Sequence, residues 1–499
     1  MALTLRDLLE GAGPLTIAGS PDVEISDITH DSRRAQRGSL FFALPGSKTD
    51  GHLHVKSAVE KGSVAIVSEL PPPPPPALIG AAWVQVRDAA ASMGKIADRF
   101  YGHPSRAMTV FGVTGTNGKT TVTYFLESIA RASGLKAGVV GTVSCRLGGE
   151  DIEKSPNTTP IASELLRLLA RMRDAGASQI AMEVSSHALA LRRADEIDFD
   201  AAIFTNLGRD HLDFHKTEEE YLRAKLRLFE LLGKVSSSKK DRVGLVNAHD
   251  PRSRIFCRAL LGVPCLSYGL IEGCDVRAAH SASDVAGSRF LLRWREWSLP
   301  VEIKIIGDYN ILNALAAAGA ALALHADPRR VQEGLASLES VPGRLEPVRA
   351  GQDFSVFVDY AHTEEALRSA LLALKNLPHK KMISVFGCGG DRDKTKRAPM
   401  GIAGCELSDL AILTSDNPRT EDPHQILGEI EEGPRARGLG NYRVEVDRTK
   451  AIHAALSAAR GGDIVLIAGK GHEDYQILRE CTIPFSDKEV ARRFLQKHA

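Results

Sequence analysis

The sequence predicts an α/β protein of three domains, with helices layered on largely parallel sheets. Three observations carry this. The chain has 499 residues, more than one ordinary core organises, and at roughly 100–200 residues per domain two to four domains are expected. From about Met108, short β-branched apolar runs with polar residues at their ends alternate with helical stretches. After "VPGRLEP", near Val341, the same alternation begins again.

Taken in order, the first hundred or so residues hold the strand-like pieces "VEISDITHDSR", "GSLFFALPG" and "VAIVSE", a small separate α/β domain spanning 1–105. The proline run Pro71 to Pro76 is expected to form an extended polyproline II spacer on a surface loop. A second domain, 106–340, contains the runs "MTVFGVTG", "QIAMEVSSH", "DAAIFTNLGRDH" and "VGLVNAHD". Its most apolar stretch, "ALAAAGAALALHA" from Ala314, falls short of the roughly 20 residues that span a bilayer and reads as a buried helix. The third domain, 341–499, repeats the theme with "FSVFVDYAH", "MISVFGCGGDRD", "LAILTSDNPR" and "DIVLIAGKGHE". Open parallel sheets bind ligands outside the carboxyl ends of their strands. All of these runs carry their polar residues at that end, which predicts two active-site faces.

Composition narrows the function. Lys+Arg at 63 against Asp+Glu at 62 leaves no broad basic surface, so nucleic acid is not an expected partner. The 7 cysteines have no paired close spacings, which argues against a disulfide framework or a zinc ribbon and fits a reducing cytoplasm. The start, "MALTLRDLLEGAG", is charged and lacks the apolar core of a secretory signal. A cytoplasmic protein without membrane insertion is expected.

The stretch "TVFGVTGTNGKTTVTYFLESIA" runs strand, glycine-rich loop, helix. Gly115 and Gly118 permit close backbone approach to a phosphate, and the helix N-terminus adds unpaired N–H groups and a positive dipole end. Lys119 can then reach the β- and γ-phosphates, while the Thr120 hydroxyl is placed to ligate magnesium. The pattern is a variant, because Val113 occupies the first glycine position of the usual loop and Gly112 lies one residue earlier.

The segment "HKTEEEYLRAKLRLFELL" reads as a helix with Thr217 as N-cap and Glu220 completing a capping box. At about 100° per residue, Tyr221, Leu222, Ala224, Leu226, Leu228, Phe229, Leu231 and Leu232 form an apolar arc with Lys225 near its middle. Such a lysine snorkels, pairs or loses its proton, because desolvation disfavours the ammonium. A lysine held partly neutral can also take up carbon dioxide and become an anionic carbamate, stabilised beside two magnesium ions. Glu183 in "MEVSSH" and His211 in "NLGRDHLDFH", at the ends of neighbouring predicted strands, are candidate further metal ligands.

In "LAILTSDNPRTEDP", Asp416-Asn417-Pro418-Arg419 ends a strand in a proline-stiffened turn. Asn-Pro by itself marks a turn and nothing more. Arg419, however, offers a planar fork that binds a carboxylate through two parallel charge-assisted hydrogen bonds. Asp416 and Asn417 add partners for ammonium and carboxylate groups, and Arg392, Gly469 and Glu473 are expected at the same edge, Glu473 facing an ammonium.

Together "THDSR", "GTNGKTT", "NTTP", "MEVSSHAL", "FTNLGRDHLDFH", "YLRAK", "GDYNILNALAA", "VPGRLE", "DYAHT", "GCGGDRDK", "DNPR" and "GKGHEDYQ" resemble the Mur ligases, the ATP-dependent amide synthetases of peptidoglycan precursor assembly. Within the family the pattern is most similar to the branch that adds the third residue of the stem peptide. The resemblance implies a small UDP-binding domain, a central P-loop ATPase domain and a Rossmann-like C-terminal domain that binds the amino acid. It implies an ATP site of Gly115, Thr116, Asn117, Gly118, Lys119, Thr120, Thr121, Asn310, Arg344 and Asp359, the last two brought in by a closing C-terminal domain. Ser32 would contact the uridine nucleotide, and Thr158, Thr159, Ser185 and Arg193 the muramoyl dipeptide. Lys225 matches the lysine carbamylated in the family, and Glu183 and His211 match its metal ligands. The turn at Asp416–Arg419 with Arg392, Gly469 and Glu473 matches the diaminopimelate site, whose arginine lysine-adding relatives usually lack.

Three positions depart from the pattern: Leu191 stands where a polar substrate contact is expected, Glu364 replaces the proline after "DYAHT", and Thr395 replaces a glycine after "GGDRDK". The expected partners are UDP-N-acetylmuramoyl-L-Ala-D-Glu, meso-2,6-diaminopimelate, ATP and magnesium, acting on a monomer. L-lysine is the alternative acceptor. A folylpolyglutamate-synthetase-like ligase fits less well, because "THDSR" and the full "DNPR" set argue against a pterin substrate. A P-loop switch or motor leaves Lys225 and the C-terminal motifs without a use.

Overall fold

The computed structural model describes residues 3–46, 50–72, 80–154, 157–208, 210–234 and 237–498. Of the proline run, Pro73 to Pro76 lie outside the described residues.

Near the N-terminus a five-stranded sheet runs in the order Thr16–Ala18, Ala82–Gln85, Ala65–Ser68, Ser39–Ala43, Asp27–Thr29. Only the Thr16–Ala18 edge is antiparallel. Ser39–Ala43 and Ala65–Ser68 are buried along their whole length, as parallel strands covered on both faces must be. The helix Ala89–Phe100, capped by the Asp88 carboxylate on the Ala91 N–H, packs its Met93 and Ile96 into the core beneath.

The next sheet has eleven strands. Its heart is the parallel series Ala137–Val140, Gln179–Glu183, Thr109–Thr114, Ala201–Phe204, Val243–Asn247 and Cys265–Gly269. Antiparallel pairs extend one edge, and at the other the meander Val276–Asp284, Gly287–Trp294, Trp297–Ile303, which the sequence patterning did not anticipate, joins Cys265–Gly269 through a parallel first strand. The strand leading into the phosphate loop, Thr109–Thr114, lies between Gln179–Glu183 and Ala201–Phe204. Glu183 and His211 therefore do not follow neighbouring strands, as expected, but flank the phosphate loop from opposite sides. The helix Asp308–Ala323 is buried nearly all round, as its composition predicted, and lies against the helix Lys119–Ala132.

A third sheet runs Glu346–Pro347, Ser355–Asp359, Ile464–Ala468, Met382–Phe386, Leu410–Leu413, Tyr442–Val444, parallel except at its first pair. The last long strand in sequence, Ile464–Ala468, is inserted into the middle. This order sets the turns after Asp359, Phe386, Leu413 and Ala468 side by side. Beneath them Arg448 is buried with Asp487 at 2.7 Å and donates to the Ser415 and Ala468 carbonyls.

Two local readings need correction. Cys257 and Cys265 form a disulfide, because the helix Ser253–Arg258 and the strand Cys265–Gly269 bring their Cα atoms to 5.5 Å. Only half of the capping box forms at Thr217: its side chain accepts from the Glu220 N–H, without the reciprocal bond. No helix among the described residues is long and apolar enough to cross a membrane.

The helix Lys119–Ala132 is fixed against Pro328–Ser337 by a close backbone approach. A Cβ on Gly334 would lie 2.4 Å from the Ile129 Cα, and the Ser128 hydroxyl donates to the Gly334 carbonyl at 2.7 Å. Gly334→Ala is expected to cost about 1–3 kcal/mol, read as a lower urea midpoint at unchanged m.

Candidate active site

The phosphate loop is held in shape from its neighbours. Gly115 (φ 148°) and Gly118 (φ 91°) admit no side chain, since a Cβ would fall 1.8 Å from Thr205 Oγ1 and 2.4 Å from Asn313 Oδ1 respectively. The Asn117 N–H donates to Asn206 Oδ1, and the Asn117 carbonyl accepts from Thr205 Oγ1 and Asn206 Nδ2. Thr116 Oγ1 accepts from the Gly208 N–H and meets the Tyr221 hydroxyl at 3.1 Å. Thr120 and Thr121 are buried in the first turn of the following helix. Asn310 is turned inward, donating to the Ile306 carbonyl and accepting from Asn313, so it reaches the loop only through Asn313.

From the C-terminal side, Arg344 donates to Thr120 Oγ1 at 3.4 Å. Asp359 braces the same junction, its carboxylate accepting from the Leu345 and Ala361 N–H groups, and burial raises its pKa.

Lys225 does not snorkel. It is 1% exposed, and its Nζ donates to the Gly115 carbonyl at 2.8 Å and lies 4.4 Å from the centre of the Tyr221 ring. Lys119 Nζ donates to the same carbonyl at 2.9 Å and to that of Thr116 at 2.9 Å. Two ammonium groups thus share one oxygen, and among the described residues neither has a carboxylate partner. Burial, then the nearby Lys119, pushes the Lys225 pKa well below its ordinary value, opposed by Asp210.

Glu183 accepts from the Thr142 N–H at 2.9 Å and the Thr142 hydroxyl at 3.0 Å, and that hydroxyl also meets Thr158 Oγ1 at 3.0 Å. Thr159 Oγ1 donates to the Glu183 carbonyl and accepts from the Ser185 N–H, while Arg193 donates to the Thr159 carbonyl. Thr158, Thr159, Ser185 and Arg193 are thereby gathered around the end of the Glu183 strand. Ser32 sits apart, its carbonyl taking the Lys61 ammonium. A cleft of about 320 Å³ lined by His30, Asp31, Arg34, Glu164 and Arg193 lies between the N-terminal and central sheets.

His211 caps the short helix Leu212–His215 in a left-handed conformation (φ 54°) and stacks edge-on to His187 at 4.7 Å. Its side chain is 45% exposed, yet the crowding of protein atoms in this concave cluster pushes it down to about 4, so the imidazole is neutral with a lone pair to offer. Among the described residues no three His, Cys, Asp or Glu side chains converge as a metal cage. The donors present, a threonine hydroxyl, the Glu183 carboxylate and one imidazole, fit magnesium, which takes few protein ligands and completes its shell with water and substrate phosphate.

A cavity of about 710 Å³ opens between the central and C-terminal sheets. His187, Asp210 and His211 form one wall; Arg392, Asp416, Asn417, Arg419, Gly469 and Glu473 form the other. Arg419 is in the left-handed region (φ 53°), and its guanidinium donates to the Gly390 carbonyl at 2.8 Å. Asn417 Nδ2 donates to Glu473 Oε2 at 3.1 Å, and Asn417 Oδ1 accepts from the Ile477 N–H and from Lys470 Nζ. Pro418 holds its carbonyl so close to Gly390 that a Cβ there would fall at 2.0 Å.

Lys470, Asp210, Thr142 and Asn313 were missed by sequence reasoning. Asp210 and Lys470 lie inside the quoted motifs and were within reach of it; Thr142 and Asn313 act through packing and carry no local signal. The departures are accommodated. Glu364 opens the helix Glu364–Lys375, where a carboxylate suits the positive end as well as proline suits the first turn. Thr395 turns its hydroxyl onto Asp393, and Leu191 stands half-exposed at the end of the helix Ser186–Ala190.

Comparison with known proteins finds three family matches: residues 24–101 to "Mur ligase family, catalytic domain", 113–321 to "Mur ligase middle domain" and 343–471 to "Mur ligase, glutamate ligase domain". A curated relative, UDP-N-acetylmuramoyl-L-alanyl-D-glutamate--2,6-diaminopimelate ligase of Syntrophomonas wolfei, is 42% identical over 478 residues, 96% of each chain. A solved structure described by the same enzyme name superposes with a TM-score of 0.71 at 30% identity, covering 100% of this chain and 99% of that one. MurF ligase from Thermotoga maritima in complex with ADP shares the fold, with a TM-score of 0.65 at 20% identity over 95% of this chain and 98% of its own.

His215 gives the site a pH signature. It is buried, its Nε2 meets Ser186 Oγ at 2.9 Å, and burial pushes it down to about 4. Between that value and the ordinary 6.5 the unfolded chain binds more protons, so stability is full above about pH 6.5 and falls as the pH drops toward 4. Urea midpoints measured from pH 7 to 5 are expected to fall less steeply in His215→Asn than in the wild type.

Proposed function

The chain belongs to the Mur ligase family, and on that premise we propose that it is an ATP-dependent ligase joining meso-2,6-diaminopimelate to the D-glutamyl γ-carboxylate of UDP-N-acetylmuramoyl-L-Ala-D-Glu in peptidoglycan precursor assembly. The observation that carries the reading is the single cavity faced by His211 from the central sheet and by Arg419, Asn417 and Glu473 from the C-terminal one. In this reading residues 1–105 hold the uridine nucleotide, with Ser32 among its contacts. Residues 106–340 hold ATP and the muramoyl dipeptide, and 341–499 present the amino acid.

A carboxylate is a poor electrophile, so the γ-phosphate of ATP is first transferred to the glutamyl carboxylate. The neutral amine then attacks the acyl phosphate; the C–N bond forms and phosphate leaves. Transfer between anions is a matter of positioning and charge neutralisation. Lys119 supplies positive charge from the loop, Arg344 from the C-terminal side, and the loop N–H groups cradle the phosphates. Magnesium, when bound, adds charge neutralisation at the phosphates, and Thr120, Glu183, His211 and the Lys225 carbamate would hold it.

Lys225 bears the chemistry of a carbamate former. Its amine is buried against a carbonyl and a ring, and addition of carbon dioxide to the neutral amine, with loss of one proton, turns an uncharged group into an anion beside Lys119. Thr158, Thr159, Ser185 and Arg193 orient the dipeptide next to Glu183. Arg419 takes the distal carboxylate of diaminopimelate, the group that L-lysine lacks, and Glu473 the neighbouring ammonium. Approach of the C-terminal sheet, carrying Arg344, excludes water from the acyl phosphate.

With the UDP-muramoyl dipeptide and ATP supplied, phosphate release is expected to require meso-diaminopimelate, with L-lysine a poor substitute; equal use of both, or release independent of any amine, overturns the acceptor assignment. Arg419→Ala is expected to lower kcat/KM for diaminopimelate by about 10²-fold or more while ATP binding survives. Lys225→Ala is expected to lower kcat by about 10²–10³-fold and to regain activity with short-chain carboxylates. A steady loss at every additive size would count against the carbamate.

A further inference from the structure

The acceptor wall is built from turns that the sheet does not join. The strands Leu410–Leu413 and Ile464–Ala468, which lead into Asp416–Arg419 and Gly469–Glu473, are separated by Met382–Phe386. Two strand spacings set the turns roughly 10 Å apart at their roots. Lys470 spans that gap. Its side chain is 0% exposed, and Nζ donates to Asn417 Oδ1 at 3.0 Å and to Glu473 Oε2 at 3.1 Å, with Asp416 Oδ1 at 3.6 Å. The ammonium therefore lies among two carboxylates and one amide from the two turns. Two like charges gathered around one buried ammonium, at 3.6 and 3.1 Å from its Nζ, are held together by it against their mutual repulsion.

We propose that Lys470 is a positioning residue for the incoming amino acid, holding Asn417 and Glu473 at the cavity edge so that the remaining Glu473 oxygen faces the acceptor ammonium while Arg419 faces its carboxylate. The inference rests on the proposed reading of this wall as the acceptor site. Lys470 acts behind it: Asp416, Asn417, Arg419, Gly469 and Glu473 line the cavity and Lys470 does not. The geometry explains the use of both turns. Glu473 Oε2 is consumed by Asn417 and Lys470, which leaves Oε1 without a hydrogen bond among the described residues and fixes its direction.

The test compares Lys470→Met and Lys470→Arg with the wild-type full chain in steady-state kinetics. The acceptor is whichever of meso-diaminopimelate and L-lysine the wild type consumes, so failure of the diaminopimelate assignment leaves this test intact. Lys470→Met is expected to raise the acceptor KM by about 10²-fold, with the KM values for ATP and the UDP-dipeptide within about threefold of wild type. Lys470→Arg is expected to recover part of the loss, because it restores a cation of different shape. In a double-mutant cycle Lys470→Met and Glu473→Gln are expected to be strongly non-additive. An unchanged acceptor KM, a parallel rise in all three KM values, or additive effects overturns the proposal. If Lys470→Met does not fold, the acceptor KM of Lys470→Arg and its coupling to Glu473→Gln decide the same question.

Discussion

One carbonyl oxygen, that of Gly115, accepts hydrogen bonds from both Lys119 and Lys225. Two cations on one neutral oxygen would repel by an amount that a single carbonyl dipole does not offset, so with water excluded from Lys225 its amine gives up its proton more readily than an ordinary lysine does. The arrangement persists because the surrounding structure over-determines it. Gly115 is pinned by Thr205, Thr116 by Tyr221, and Lys225 by the apolar face of its own helix. A site held in this state is pre-charged for an anion. A triphosphate reaching the loop relieves the repulsion at Lys119, and conversion of Lys225 to a carbamate would relieve it from the other side. In the proposed chemistry the electrostatic strain of the loop and the binding of its substrates are the same interaction.

The strand order then decides what meets this loop. Glu183 and the Thr205–Asn206 turn leave the two strands that flank Thr109–Thr114, so a carboxylate stands on one side of the loop and a bracing turn on the other. The C-terminal sheet is joined through the turn at Val341–Arg344. Its Gly343 carbonyl accepts from the Tyr360 N–H, and its Arg344 reaches Thr120. The turn that connects the sheets is therefore also a contact between them, and any change in their relative position is felt at the hydroxyl beside Lys119. That coupling gives closure of the proposed cavity a direct link to the nucleotide site.

How much of this was legible in the sequence depended on the range of the interaction. The parallel cores were written in apolar runs, and the buried helix Asp308–Ala323 in its alanines, because burial on all sides leaves a compositional trace. Lys225 stood out by breaking a helical arc, and its burial follows from that arc. The antiparallel edge from Val276 to Ile303 was harder to read: exposed Arg289 and Arg293 do alternate with buried Phe290, Leu292 and Trp294, but Leu291 puts an apolar residue on the outer face and the register shifts between Ala279 and Ala282. Strand order was out of reach as well: nothing local says that Ile464–Ala468 enters the middle of its sheet. That single topological fact placed Lys470 between two turns distant in sequence and made it invisible to motif reading.

The turn at Asp416–Arg419 shows why the motif and its environment must be read together. As a turn it needs only Asn-Pro, and its left-handed Arg419 is an uncommon conformation for a long side chain. What holds Arg419 there is external to the motif: its N–H donates to the Ile477 carbonyl, its guanidinium to Gly390, and Asn417 is fastened to Ile477 and Lys470. Each of these bonds reaches another strand's turn. A guanidinium on a free turn would bind any carboxylate weakly and in many geometries. Held at several points around a cavity that also contains a fixed carboxylate oxygen, it instead favours a molecule with a carboxylate and an ammonium at one end, at a set separation. Selectivity in this reading is a property of the bracing between turns, and the four residues of the turn are the surface on which it is expressed.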